Sequence, residues 1–286
     1  QQAIAVFKQL VQENPRAGEH LGHSQWQFCQ ALRNTGRSVQ SEAVIREALQ
    51  VFEKAARDFP AEPFLRQEQA FSHRLIGDVM IDLGQLDEAV LQYRAAIDLY
   101  GSLSTDVPNN STYRSEQAYS TWLLGVLLNR AGQTNDAVRE YDQALAIYAQ
   151  ATATFPTEAM LRWRRIDLLR ERGKFTEAER VLRETFALTN KPPGIGKAEL
   201  ATAMHKLGDV LRDSGKLKEA EETFREAVAM HREVNGNEDL GLGHSLHGLA
   251  WVLNQNGKQA EAEAVSREEL AMRRKLLGDG HPDVAS

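Results

Sequence analysis

A chain of 286 residues with 42% hydrophobic and 7% aromatic residues can bury a substantial core, as one or two globular domains or as an array whose units cover one another. A formal net charge of -6 and a pI near 5.8 argue against a nucleic-acid surface, which rests on clustered Lys and Arg. The sequence has no apolar run of membrane-spanning length and no signal-peptide pattern at its start, and its one cysteine, Cys29, leaves no internal disulfide and fits a reducing, cytoplasmic compartment.

In chain order the pattern is a repeat. Residues 1–15 read as the end of a preceding repeat helix; the units are then 16–60, 61–108, 109–156, 157–193 with a short first helix, 194–237 and 238–280. Residues 281–286 read as the start of a further unit, so the chain is expected to be a piece of a longer protein. Each unit is centred on a glycine: Gly36, Gly84, Gly132, Gly173, Gly215 and Gly257, spaced by 48, 48, 41, 42 and 42 residues. Five residues after each glycine stands a small side chain (Ser41, Ala89, Ala137, Ala178, Ala220, Ala262), preceded in the last five by an acid. Apolar columns continue nine, twelve and thirteen after, broken only by Thr185 in the fourth unit and by Ser266 and Glu269 in the sixth. Before each glycine, positions minus 8 and minus 4 are apolar except Arg165, and minus 7 is mostly small. Offsets of 3, 4 and 7 predict helix, glycine turn, helix, with no strand. A glycine ends a helix in the left-handed conformation, and the acid after it falls in the first turn of the next helix, where the dipole favours it. Pro60, Pro108 and Pro156 close the first three units, each followed six residues later by arginine (Arg66, Arg114, Arg162); Pro192-Pro193-Gly194 and Asn235-Gly236-Asn237 break the later boundaries.

Segments such as Leu124-Gly125 … Gly132 … Asp136-Ala137 … Tyr141 … Ala144, and Leu207-Gly208 … Gly215 … Glu219-Ala220 … Phe224 … Ala227, resemble the tetratricopeptide repeat family, over about residues 16 to 286. The longer period implies helices extended beyond the family's usual unit. The last two units, with the segment from Lys275 to Ala285, are similar to the kinesin-light-chain-like subtype, and the first three to long arrays attached to bacterial serine/threonine kinases. Where that subtype carries asparagines that hold peptide backbone, this chain has His247-Gly248, so its peptide specificity is not carried over. The resemblance implies an all-α solenoid of stacked antiparallel hairpins, a right-handed superhelix whose first helices line a concave groove.

Two columns of those first helices are turned away from the partner helix and are the candidate ligand-groove positions. Minus 10 reads Trp26, Arg74, Trp122, Trp163, His205, His247; minus 6 reads Gln30, Asp78, Val126, Asp167, Asp209, Trp251. All four tryptophans fall in them, and Trp and Arg are the residues most enriched at binding hot spots. Packing as wedges between neighbouring hairpins is the other reading of the same tryptophans. The family's carboxylate clamp uses Lys and Asn in these columns and is disfavoured here; aromatics mixed with Asp78, Asp167 and Asp209 suit a ligand with apolar and basic side chains.

No enzymatic chemistry is legible. His244 and His247, with His205 and Asp209, or His20 with His23, lack the Cys partners or the His-Glu-x-x-His helix of a metal site, so no metal and no cofactor is expected. Gly194-Ile195-Gly196-Lys197 resembles the end of a phosphate loop but has Ala198 where Ser or Thr should follow, and it reads as an inter-repeat loop. Cys29 sits in the small-residue column as a packing thiol. The expected function is a non-catalytic scaffold for a protein or peptide, part of a larger signalling or regulatory protein. The alternatives are a spacer that self-associates end to end, or a substrate-docking accessory to a catalytic domain, such as a kinase, outside the chain.

Overall fold

The computed structural model describes residues 21–188, 196–236 and 239–278. Residues 1–20, Pro192-Pro193-Gly194, Asn237, the ligand reading of His20 and the expected start of a further repeat at 281–286 lie outside the described residues. Among those described, twelve α-helices and no strand occur: α1 Leu21–Asn34, α2 Ser38–Asp58, α3 Pro63–Asp82, α4 Leu86–Asp106, α5 Ser111–Arg130, α6 Thr134–Thr154, α7 Ala159–Glu171, α8 Phe175–Ala187, α9 Lys197–Asp213, α10 Leu217–Asn235, α11 Leu240–Gln255 and α12 Gln259–Leu277. They form two compact units, Gln1–Phe155 with α1–α6 and Pro156–Ser286 with α7–α12. In each, an odd-numbered helix pairs with the helix after it as an antiparallel hairpin, and consecutive hairpins stack.

The turns form because only glycine takes their conformation without cost. Gly36, Gly84, Gly132, Gly173, Gly215 and Gly257 all have φ between 67° and 80°. The N–H of the next residue then reaches back to the carbonyl four before the glycine at 2.8–2.9 Å, which caps the first helix of every hairpin. The following acid lies in the first turn of the second helix from α4 onward. At the other end, α2, α4 and α6 each stop two residues before Pro60, Pro108 and Pro156. α7 has 13 residues, against 20 in α3 and α5.

Within a hairpin the minus-7 glycines make room for the aromatic nine residues after the turn. A Cβ on Gly77, Gly125 or Gly208 would stand 3.0, 2.9 and 2.7 Å from the rings of Tyr93, Tyr141 and Phe224. Those rings are 0–3% exposed, and the small column after each turn is buried from Ser41 to Ala262. Cys29 fills the same slot in the first hairpin: its side chain is buried, and the Ser41 hydroxyl donates to its carbonyl at 3.3 Å. One apolar residue departs from its column. Phe28, in register with the buried Ile76 and Leu124, is 54% exposed.

Between hairpins, ionic contacts recur in register. The arginine three before one turn reaches the acids six and two before the next: Arg33 lies 3.9 Å from Asp78 and 2.6 Å from Asp82, and Arg170 lies 3.2 Å from Asp209 and 2.7 Å from Asp213. On the second helices, Glu179 meets Lys216 at 3.0 Å and Glu221 meets Lys258 at 2.6 Å, again one hairpin apart. Desolvation pushes the Glu221 carboxyl up, but hydrogen bonds from Lys258, Asn256 and Arg225 outweigh it and hold it at about 2. Such half-buried, charge-assisted bonds are stronger than surface pairs. Arg170→Gln is expected to lower unfolding stability by about 1–2 kcal/mol, read as a drop in the urea midpoint with no loss of helicity. An unchanged midpoint would reduce the contacts of Arg170 with Asp209 and Asp213 to surface pairs.

Candidate binding surface

In the first unit the column residues are mostly engaged by the array. The Arg74 guanidinium lies 4.9 Å over the Phe71 ring and 5.4 Å over Tyr119, and 3.6 Å from Glu116 of the next first helix. Asp78 accepts a 2.6 Å hydrogen bond from the Tyr93 hydroxyl; burial pushes its carboxyl up, against that bond and the Arg74 and Arg33 charges, which pull it down. Gln30 accepts from Arg33 at 3.2 Å. Trp26, Trp122 and Val126 are half-buried, and Trp122 meets Tyr119 edge to face at 5.9 Å.

The second unit begins the same way. Trp163, half-buried, has the Arg162 guanidinium 5.6 Å and the Lys206 ammonium 5.9 Å from its ring, while Lys206 also donates to Asp167 at 2.7 Å. His205 lies 5.8 Å from the Phe224 ring and 6.1 Å from His244, with Asp209 at 3.5 Å. Asp209 is held by Arg170 and by Arg212 at 3.0 Å. Among the described residues no three His, Cys, Asp or Glu side chains gather as metal ligands. Gly196 is the N-cap residue of α9, and Lys197 pairs with Glu233.

The last described hairpin differs. His247 is 65% exposed at its side chain and Trp251 44% exposed, the indole carrying the Arg212 guanidinium on one side at 5.7 Å. With Ala250, Asn254, Gln259 and Glu263 they line an open cleft of about 380 Å³ between α11 and α12. Two of the breaks in the apolar columns are in this hairpin: Ser266 is exposed at this cleft, where Leu182 and Phe224 of the earlier hairpins are buried. Glu269, 8% exposed in place of the usual alanine, is neutralised by Arg273 at 2.6 Å and approached by His247 at 3.4 Å. The columns are thus distributed along each unit, and His247 and Trp251 share one open cleft.

The arginines three before the turns carried a readable signal that periodicity in apolar residues does not capture. Arg33, Arg170 and Arg212 share the minus-3 column, and Asp82 and Asp213 share minus 2. The acids that Arg33 and Arg170 meet lie one hairpin away, so their role shows only when the register of stacking is known; Arg212 meets Asp209 and Asp213 of its own helix.

The tetratricopeptide-repeat family model matches residues 156–233 and 199–275. Among solved structures, BtubC (BKLC) from P. vanneervenii aligns over 83% of this chain and 92% of its own, with 21% identity and a TM-score of 0.59. A Podosopora anserina putative kinesin light chain with nearly identical TPR-like repeats aligns over 90% and 97%, with 17% identity and a TM-score of 0.42. TTC0263, a thermophilic TPR protein of Thermus thermophilus, aligns over 85% and 99%, with 17% identity and a TM-score of 0.40. No curated protein sequence matches significantly. Stacked hairpins of this kind are scaffolds for protein–protein interaction. Residues 156–275 therefore belong to the tetratricopeptide-repeat family, and the helical hairpins of the first unit share its fold.

Proposed function

We propose that the chain is a non-catalytic scaffold that binds a protein or peptide, with the α11–α12 cleft around Trp251 as its principal contact point. The observation that carries this is the exposure of a large amphipathic indole at the rim of an apolar-floored cleft, where the other three tryptophans are half-buried. Large aromatics so placed anchor partners at little entropic cost. Asp78, Asp167 and Asp209 are paired within the array, so apolar contact rather than recognition of basic groups dominates this reading. Docking substrates for a catalytic domain elsewhere in a longer signalling protein would use the same cleft.

Trp251→Ala is expected to leave helicity and melting unchanged and to abolish, or weaken by about tenfold or more, capture of a partner that the unmutated chain retains. Trp122→Ala/Trp163→Ala should instead lower the melting temperature, as wedges do. The measurement is affinity capture read by mass spectrometry, followed by titration of the captured partner. Equal capture by unmutated chain and Trp251→Ala would remove the cleft from the binding surface. The spacer reading draws on the exposed Phe28 of the first described hairpin. Sedimentation showing a mass that rises with concentration, and falls back on Phe28→Ser, would favour it.

A further inference from the structure

The three arginines that follow Pro60, Pro108 and Pro156 by six residues occupy one register but do not share one environment. Arg66 pairs with Asp106 at 2.6 Å, twenty-two residues after its unit's glycine. Arg162, 4% exposed, pairs with Glu199 and donates to the Pro156 carbonyl. In the middle copy the position equivalent to Asp106 is Thr154. Arg114 donates to that hydroxyl at 3.2 Å and lies 5.9 Å from the Phe155 ring; neither carries a charge. The hydroxyl itself donates to the Gln150 carbonyl at 3.0 Å, which fixes it as an acceptor towards the guanidinium.

This arginine lines a pocket of about 440 Å³ within the first unit, at the end of the hairpins away from the glycine turns. Ser104 and Thr105 of α4, Gln117 of α5, and Ile147 and Gln150 of α6 share it. That volume lies in the range of small-ligand sites. The wall is polar and mixed in sense. The amides of Gln117 and Gln150 in the lining can donate or accept, whereas the Ser104 and Thr105 hydroxyls spend their protons on the Gly101 carbonyl, at 2.8 and 3.1 Å, and offer lone pairs.

We propose that this pocket binds a carboxylate-bearing ligand, seated on the Arg114 guanidinium in the place that Asp106 takes beside Arg66. A guanidinium fork matches a carboxylate in shape and charge. One cation in otherwise neutral walls balances a single negative charge and not the near-dianion of phosphate. The two hydroxyl oxygens then select a carboxylate that carries a neighbouring N–H or O–H donor, as an acidic amino acid or peptide residue does. The site is separate from the Trp251 cleft, and its failure would leave that reading untouched.

The test is titration of the whole isotope-labelled chain with sodium glutamate, following the Arg114 Nε–H resonance, at constant ionic strength against sodium chloride. Inorganic phosphate and glutamine are run in parallel. Saturable binding in about the millimolar range is expected for glutamate, with little response to the other two. Thr154→Asp installs the internal carboxylate of the first copy, and should weaken glutamate binding by about tenfold or more without lowering the melting temperature. Arg114→Gln should abolish it. A response no greater than that to chloride, tighter binding of phosphate than of glutamate, or undiminished binding in a folded Thr154→Asp chain would each overturn the proposal.

Discussion

Phe224→Ala should destabilise the second unit by about 3–5 kcal/mol, the largest effect expected from any single substitution here. The ring is fully buried and fills a slot that two glycines open for it: a Cβ on Gly208, in the partner helix, would stand 2.7 Å from it, and one on Gly248, in the next hairpin, 2.5 Å. The ring therefore joins its own hairpin to the next as well as closing itself. It sits in an apolar cluster of the second unit with Leu211, Val228, Leu246 and Leu249. Deleting it leaves a cavity that the rigid helix backbones cannot collapse into, which is why the cost exceeds simple transfer. The reciprocal change, Gly208→Ala, overfills the slot and should cost about 1–3 kcal/mol. Combining Gly208→Ala with Phe224→Leu should cost less than the sum of the two single changes, because the smaller side chain relieves the clash. Urea unfolding of the four chains measures this; strict additivity would show that the ring and the glycine do not meet. The same contact keeps position 248 a glycine, since a side chain there would meet the Phe224 ring.

Between pH 6.5 and 4 the second unit should lose on the order of 2–3 kcal/mol of stability through His205. Burial of its ring beside Phe224 lowers its pKa to about 4. Asp209 opposes the shift, but Arg170 and Arg212 already claim that carboxylate, and His244, Lys206 and His231 add repulsion. An unfolded imidazole takes up a proton below about 6.5, whereas the folded one does so only near 4. The unfolded state thus binds more protons throughout that window, and folding weakens as the pH falls, with a plateau above neutrality. His231, buried 2.9 Å from the Asp239 that caps α11, is also shifted down by burial and adds to the slope. His205→Leu should flatten the dependence of the urea midpoint between pH 7.5 and 4.5, leaving the smaller His231 contribution. A slope unchanged by that substitution would place the titration elsewhere.

How much of this was legible beforehand differs by kind of residue. The six turn glycines and the alternation of small and aromatic slots follow from local conformational preference and helical period, which are written in consecutive residues. The minus-10 and minus-6 columns were equally visible, yet their environments were not. Trp163 and Trp251 look equivalent as aromatic exceptions in a helix face, but one is wedged beside Lys206 and the other stands open.

The order of residues alone specifies six glycine-centred helical hairpins, because period, capping and slot size act within one unit and need no knowledge of its neighbours. Which charges are spent is settled only when the hairpins stack. Asp78, Asp167 and Asp209 each meet a cation of a neighbouring hairpin, in Arg33, Lys206 and Arg170, so their availability depends on stacking register. Arg114 is left to a neutral hydroxyl for the same reason: Thr154, forty residues on, stands where another copy has an acid. A solenoid repeats its backbone, and the side chains that meet across its layers determine where it is closed and where it can bind.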